Sequence, residues 1–481
     1  MKDSRPMTRR SWTTATAVGI AMMLAAVSTS CASNSSSDVQ PTESNTVESV
    51  PLPIDSKCPE HVLDDLATPV AITAWAALAG DARSALDLVV ARYNASQTKV
   101  RVTITSAPVD PPTQRAIYAV AAESGQLPAL IAVDTSLSQF LIGTSTVAAA
   151  SDCHRSDGLA VVSLPVVRNA TTVGDTHWAG SANPETDVLF YRRDAFSAAG
   201  LDPDSPPRTL AELQQAAEKL KAAGATTAPI VLAGTASLIE NWLTGAGAQI
   251  VDQSNGHLKQ ATRSTFDNPQ TLELYQWISH MVEAGLLAIE PTSTGDQPAS
   301  SPETRLQSAS MTVAPSTLIG PLSSSTTSAM ADLDVSPFPG MQAAGKGAVG
   351  GLAWFPTTTG LAAVQAASWD FLNYLNLPES QVTINIISSY LPNNIRATDD
   401  RVLEAMWADT RRGRWLDTAY TQLTNLDPAI PGPMIGPDDQ VRAAIRTSLQ
   451  ALIAGTAATD VIAAANLAID QAVKAAPVAK N

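Results

Sequence analysis

Two hydrophobic periods alternate along the first third of the folded region. Pro69–Trp75, PVAITAW, is a short apolar run of strand character. Asp81–Asn94 then places Ala85, Leu86, Val89, Val90 and Tyr93 at helical spacing on one face. Val100–Thr105 alternates with period two, which predicts a half-buried strand. A helix over about Thr113–Ser124 follows, and Leu130–Val133 is a continuous apolar run of the kind found in strands covered on both faces. The order β-α-β-α-β predicts an α/β fold with a largely parallel sheet, right-handed crossovers and helical cover.

The pattern loosens over Trp178–Thr186, where Gly, Ser, Asn and Pro predict a loop crossing into a second lobe. Beyond it come a strand at Val188–Tyr191, helices at Phe196–Ala199 and Leu210–Ala223, a strand at Pro229–Leu232, a helix from about Ser237 and another over Pro269–Ala284. Asp296–Ser328 is rich in Ser, Thr and Pro and predicts long loops around one strand, Ser310–Val313. Gly-dense Gly345–Phe355 predicts a return crossing. Ala366–Leu375 is amphipathic, and a helix begun at Pro378 ends by Tyr390-Leu391-Pro392, because proline disfavours continuation. Asp438–Val473 predicts two Ala-rich helices.

The N-terminus changes the compartment. Arg9 and Arg10 precede a modest apolar run, Thr16–Val27, too short to span a bilayer. Small residues then lead to Cys31. Residues 1–31 are expected to be a lipoprotein signal peptide with Cys31 as the acylated residue, although Val27-Ser28-Thr29-Ser30-Cys31 lacks the usual lipobox Leu. Export runs through the general secretory route or, given Arg9-Arg10, the twin-arginine route. Residues 32–57 are polar and Pro-containing, a flexible tether. The chain has 481 residues and a net charge of −15, and the part after the leader is more acidic still. That acidity argues against nucleic acid and against electrostatic docking on anionic lipid, leaving the lipid anchor as the membrane contact.

The stretch Val188–Leu213, VLFYRRDAFSAAGLDPDSPPRTLAEL, resembles a signature of extracellular solute-binding proteins, the ligand-capturing subunits of ABC importers. Ala74-Trp75, Leu127–Ile131, Ala366–Leu375 and Ser389–Asn393 resemble further motifs of the carbohydrate- and glycerophosphodiester-binding, maltose-binding-protein-like group. The resemblance implies a two-lobed, type II periplasmic-binding-protein-like fold with the ligand cleft between lobes. Lobe I would comprise 58–182 and 345–388, and lobe II 185–339 and 390–473. Ala76 stands where one subgroup carries His, and Met434 where the glycerophosphodiester binders carry Arg, so ligand identity does not transfer. After Cys31, Cys58 and Cys153 remain, either as a disulfide, which an oxidising compartment favours, or as two buried thiols.

The implied function is capture of a sugar, related polyol or glycerophosphodiester for delivery to a membrane permease. A signalling receptor and an exported glycosidase are the alternatives. No cofactor, metal or catalytic residue is expected, since the five His show no paired ligand spacing and no Walker loop or nucleophile elbow is present. Expected ligand contacts are Trp75, Asp134, Glu185, Thr186, Glu240, Asn241, Trp242, Gly350, Gly351, Trp354 and Tyr390. Aromatic rings suit the C–H faces of sugars and the carboxylates and amide suit their hydroxyls, with Trp242 as the favoured plate. The two glycines allow close backbone approach. The plainer roles are core packing for Trp75 and Trp354, a helix cap for Asp134, a solvated hinge position for Glu185 and a turn for Gly350-Gly351.

Overall fold

Two five-stranded sheets organise the computed structural model, which describes residues 60–153, 163–225, 227–293 and 295–476. The expectations placed on the leader, Cys31, the tether and Cys58 fall outside those residues, and with Cys58 falls the pairing expected of Cys153.

The strands in chain order are β1 (Val70–Ala76), β2 (Val100–Ser106), β3 (Leu130–Asp134), β4 (Thr172–Val173), β5 (Thr176–His177), β6 (Ser181–Glu185), β7 (Asp187–Arg192), β8 (Ile230–Ala233), β9 (Leu287–Glu290), β10 (Met311–Pro315), β11 (Leu333–Pro337) and β12 (Gly350–Pro356). The first sheet has the order β2-β1-β3-β12-β6, the second β11-β7-β10-β8-β9, and β4-β5 form a small hairpin. In the first sheet β1 runs parallel to β2 and β3, as the β-α-β-α-β pattern requires, while β12 is antiparallel to both its neighbours.

Each sheet is covered on both faces. Leu86, Val89 and Tyr93 of the helix Gly80–Ser96 join Trp369, Phe371 and Leu372 of the helix Ala362–Leu375 on one face of the first sheet. Tyr118 of the helix Pro111–Glu123 packs with Ile131, Val133 and Phe355 on the other. The second sheet buries Leu213, Leu243, Leu274, Ile445 and Ile469, each from a different helix, against Leu189 and Leu232. Its opposite face meets Trp415, Leu416 and Leu423 of the helix Arg411–Thr424.

The structure corrects the sequence reading at several places. Ser181–Glu185, expected to be loop, is the edge strand β6, paired only with β12. An edge position tolerates Pro184, because one side of the strand needs no ladder donor. Strands β9 and β11 and the helices Arg401–Asp409 and Arg411–Thr424 were not legible as periods. Their ends are nonetheless chemically marked: Asp400 accepts from the Val402 and Leu403 amides and Thr410 from the Gly413 amide. The Ser/Thr/Pro-rich segment also holds two short helices, Pro302–Ser308 and Ile319–Ser324.

The chain crosses between the sheets three times. Thr186 alone separates β6 from β7, residues 338–349 lead from β11 to β12, and the third crossing follows the helix Pro378–Ser388. Among the described residues no helix is long and apolar enough to cross a membrane.

Gly351 is locked into its place. It has φ +105, and a Cβ there would strike the carbonyl oxygen of Asn183 on the neighbouring strand. Gly351→Ala is therefore expected to cost about 1–3 kcal/mol in denaturant unfolding, combining left-handed strain with the clash.

Candidate ligand-binding cleft

The carboxyl end of β3, the β6–β7 crossing and the start of β12 meet at one level of the molecule, and a cavity of about 290 Å³ opens there between the sheets. Asp134, Glu185, Gly350 and Gly351 line it from the first sheet, and Asp187, Glu240, Asn241 and Arg305 from the second. Thr186, between the sheets, also reaches its wall. Ligands of open α/β folds sit at strand ends of this kind.

Local chemistry fixes most of these groups. Asp134 ends β3 and its carboxylate accepts from the Ser136 amide at 2.9 Å, so it caps the following turn while lining the cavity. Glu185 accepts from the Thr317 hydroxyl at 2.7 Å. Asp187 accepts from the Asn241 side-chain amide at 2.7 Å, and the Asn241 carbonyl in turn accepts from the Ala348 amide at 2.7 Å. Arg442 holds Glu240 through Nε at 3.0 Å and Nη2 at 2.8 Å, a two-pronged pair. Gly350 lies opposite Glu185 in the ladder and offers no side chain beside its carboxyl group.

The helix Ala236–Gly245 points its N-terminus at the cavity. Asp296 already occupies that end, accepting from the Ala236 amide at 2.6 Å and the Ser237 amide at 3.0 Å while Arg446 pairs with it at 3.1 Å. Asp187, Asp296, Arg305, Arg442 and Ser136 line the cavity without having been expected to. Arg442 lies within a segment whose only visible signal was Ala-rich helicity, and Asp296 within one read as loop.

Burial drives the electrostatics. Desolvation pushes the Glu185 carboxyl up to about 7, with further push from the charges of Asp187 and Asp134 and some relief from the Thr317 bond. Desolvation raises Asp187 to about 6 against the Asn241 bond and the Arg305 charge. Burial, then Glu185 and Asp134, hold the Tyr390 hydroxyl well above its usual range. Among the described residues no group of three His, Cys, Asp or Glu is spaced to hold a metal ion.

Of the expected contacts, Asp134, Glu185, Thr186, Glu240, Asn241, Gly350 and Gly351 are brought together. The aromatic ones are not, and no lining residue is aromatic. Trp242, the favoured plate, is 1% exposed, donates its indole N–H to the Pro339 carbonyl at 2.8 Å and packs against Phe338 and Trp277. Its helix aims Glu240 and Asn241 at the cavity, and at 3.6 residues per turn Trp242 faces the second-sheet core. Trp354 is equally buried and donates to Asn183 at 2.8 Å. Trp75 packs beside the Tyr118 cluster. Tyr390 closes a small neighbouring void with Trp354. Met434, the position noted for its missing cation, is buried and does not line the cavity.

The two sides are also joined outside the cavity. Arg115, from a helix on the first sheet, pairs with Asp438 and, at 3.7 Å, Asp439 at the start of the helix Asp438–Ile453 on the second, and donates to the Gly436 carbonyl at 2.8 Å.

A two-lobed protein with a cavity between its lobes, lined by charged groups from both, belongs to a solute-capturing class. The sequence pattern of bacterial extracellular solute-binding proteins matches residues 76–382, and the chain belongs to that family. The family is one of binding proteins, not enzymes. The chain is similar to the sn-glycerol-3-phosphate-binding periplasmic protein UgpB of Yersinia pseudotuberculosis, 27% identical over 235 residues, 44% of this chain and 49% of that one. A shorter stretch is 36% identical to UgpB of Yersinia enterocolitica over 109 residues, 21% of this chain and 24% of that one. The chain thus spans about half the length, or less, of the curated relatives it matches. Among solved structures, the cyclic α-maltosyl-1,6-maltose binding protein of Arthrobacter globiformis superposes with TM-score 0.70 at 20% identity, covering 84% of this chain and 99% of that one. UgpB of Mycobacterium tuberculosis, solved with glycerophosphocholine, gives TM-score 0.68 at 17% identity over 85% and 99%. These likenesses establish the two-lobed α/β fold of type II periplasmic binding proteins.

Two outcomes follow from the electrostatics. The raised Glu185 carboxyl stabilises the fold fully below its unfolded value near 4.5, and that stability is lost as pH rises through about 7. Glu185→Gln should therefore leave the unfolding midpoint near that of the parent at pH 4 and raise it at pH 8, by roughly 1–3 kcal/mol in unfolding free energy. Arg115→Ala removes the pair that joins the lobes outside the cavity, and small-angle X-ray scattering of the unliganded variant should give a larger radius of gyration than the parent.

Proposed function

We propose that this chain captures a sugar or related polyol between its lobes and delivers it to the permease of an ABC importer. The observation that carries this is the cavity of about 290 Å³ walled by both sheets. It lies at the lower end of the range for small-molecule sites, about 300–1,000 Å³, and suits a small guest. Its carboxylates and two side-chain amides, Asn241 and Gln297, match a hydroxyl-rich ligand, with Asp134, Glu185, Thr186, Glu240, Asn241, Gly350 and Gly351 in direct contact. Trp75, Trp242, Trp354 and Tyr390 support the wall from behind. The names of related proteins favour the same class: binders of sn-glycerol 3-phosphate by sequence, and of maltose-type sugars by fold.

The rest of the reading concerns position. Lobe I, expected to end at 182, is taken as 58–185 and 345–388 because β6 belongs to the first sheet, and lobe II as 187–339 and 390–473. A bridge between Cys58 and Cys153 would pin the start of lobe I. Cys31 would carry the lipid, and residues 32–57 would tether the binding body at the outer face of the cytoplasmic membrane. Capture closes the lobes about the crossings, and the closed form is favoured only by the bonds it adds to the ligand.

A thermal-shift panel of sugars, polyols and glycerophosphodiesters tests the reading. A true ligand at a hundredfold excess over its dissociation constant should stabilise the protein by about 2.7 kcal/mol and be recovered unchanged. Silence across the panel would remove the reading, and release of a cleaved product would replace it with the glycosidase alternative.

A further inference from the structure

The charges around the cavity do not balance. Five carboxylates line it, Asp134, Glu185, Asp187, Glu240 and Asp296, against two guanidiniums, Arg305 and Arg442. Arg442 is committed to Glu240, and Arg446 behind the wall is committed to Asp296. Arg305 is 2% exposed, spends Nε on the Thr312 hydroxyl at 2.9 Å and Nη1 on the Ser300 carbonyl at 2.8 Å, and acts on Asp187 through its charge alone. Asp134 and Glu185 are left with hydrogen bonds to neutral donors and no ion pair, Arg442 acting on Asp134 through its charge alone. They stand on strands β3 and β6, with only β12 between, and the end of β12 nearest them is Gly350-Gly351. Gly350 leaves no side chain opposite Glu185, while Leu352 stands opposite Asp134.

A second observation points to an occupant. Ser136 also lines the cavity and is 6% exposed, and its buried hydroxyl has no partner within the protein. A buried hydroxyl without a partner costs free energy that a ligand donor or acceptor restores. The remaining feature suited to an anion, the N-terminus of the helix Ala236–Gly245, is filled by Asp296.

We propose that the ligand is a polyhydroxylated molecule carrying a protonated amine, and that Asp134 and Glu185, with the Ser136 hydroxyl, seat that ammonium group. The inference rests on the sugar and polyol reading above and narrows it. An ammonium between the two carboxylates removes their repulsion, and its three N–H donors meet three acceptors. A phosphate in the same place would add a third like charge. A metal ion is disfavoured because no three carboxylates among the described residues converge closely enough to share one.

Calorimetric titration of the full chain with matched probes decides it: amino mono- and disaccharides, their N-acetylated forms, their parent hydroxyl sugars, and glycerol 3-phosphate. The amino forms should bind at least about tenfold tighter than the acetylated and hydroxyl forms. Asp134→Asn and Glu185→Gln should each weaken the amino form by about tenfold or more and shrink its advantage, with a cooperative thermal transition as the check on folding. Hydroxyl sugars binding as tightly as their amino partners would overturn the ammonium seat and leave the sugar reading standing. Preferential binding of glycerol 3-phosphate would overturn the seat through its charge sign. Binding by none of the probes would remove both.

Discussion

Gln422 holds the architecture at its most demanding point. A chain that passes between two sheets must end one ladder and begin another while its backbone groups remain buried and satisfied. The Gln422 side-chain amide donates to the Thr186 hydroxyl at 2.6 Å and to the Asp187 carbonyl at 2.7 Å, and its carbonyl accepts from the Phe338 amide at 2.7 Å. One buried side chain thus ties the first crossing to the start of the second. The orientation of Glu185 and Asp187 toward the cavity depends on that staple, and so does the approach of Gly350 and Gly351 from the other direction.

The cavity that results is defined by carboxylates rather than rings. Large aromatic side chains close to it are drawn into the two cores, where Trp242 and Trp354 each bury their bodies and satisfy their indole N–H groups. The lining is left to charged and polar side chains set among aliphatic ones such as Leu238, Val313, Leu318 and Val349. Such a surface is costly to keep empty, because each carboxylate taken from water must find a donor or give up its charge. Thr317, Asn241, Arg442 and Arg446 supply that compensation for four of them, the two arginines from one helix, Asp438–Ile453.

Sequence patterning exposed three of the first sheet's five strands, β2 by its period of two and β1 and β3 as apolar runs, while β12 was legible only as a return crossing. It failed at β6, whose Ser-Ala-Asn-Pro-Glu composition gives no strand signal because ladder pairing with β12, not propensity, makes it a strand. Polar candidates at element ends were found well, because strand ends and helix starts place Asp134, Glu185, Glu240 and Asn241 where the topology brings lobes together. Aromatic candidates lie in or against the cores instead, and Trp242 shows the local reason most clearly. Sequence neighbours on a helix point different ways, so Glu240-Asn241-Trp242 splits between cavity and core. Asp296, Arg305 and Arg442 were illegible because their importance comes from partners far along the chain, which no local pattern records.

Thr186 is the sole residue between β6 and β7, and the carboxylates that flank it both line the cavity. Two buried carboxyl groups therefore sit on either side of a one-residue link between the sheets. Burial is what raises both pKa values, so any rotation about Thr186 that wetted them would return them toward ordinary carboxylates. Protonation of the pair and the angle between the sheets are thereby linked, so acidity bears on the hydration of this one short segment.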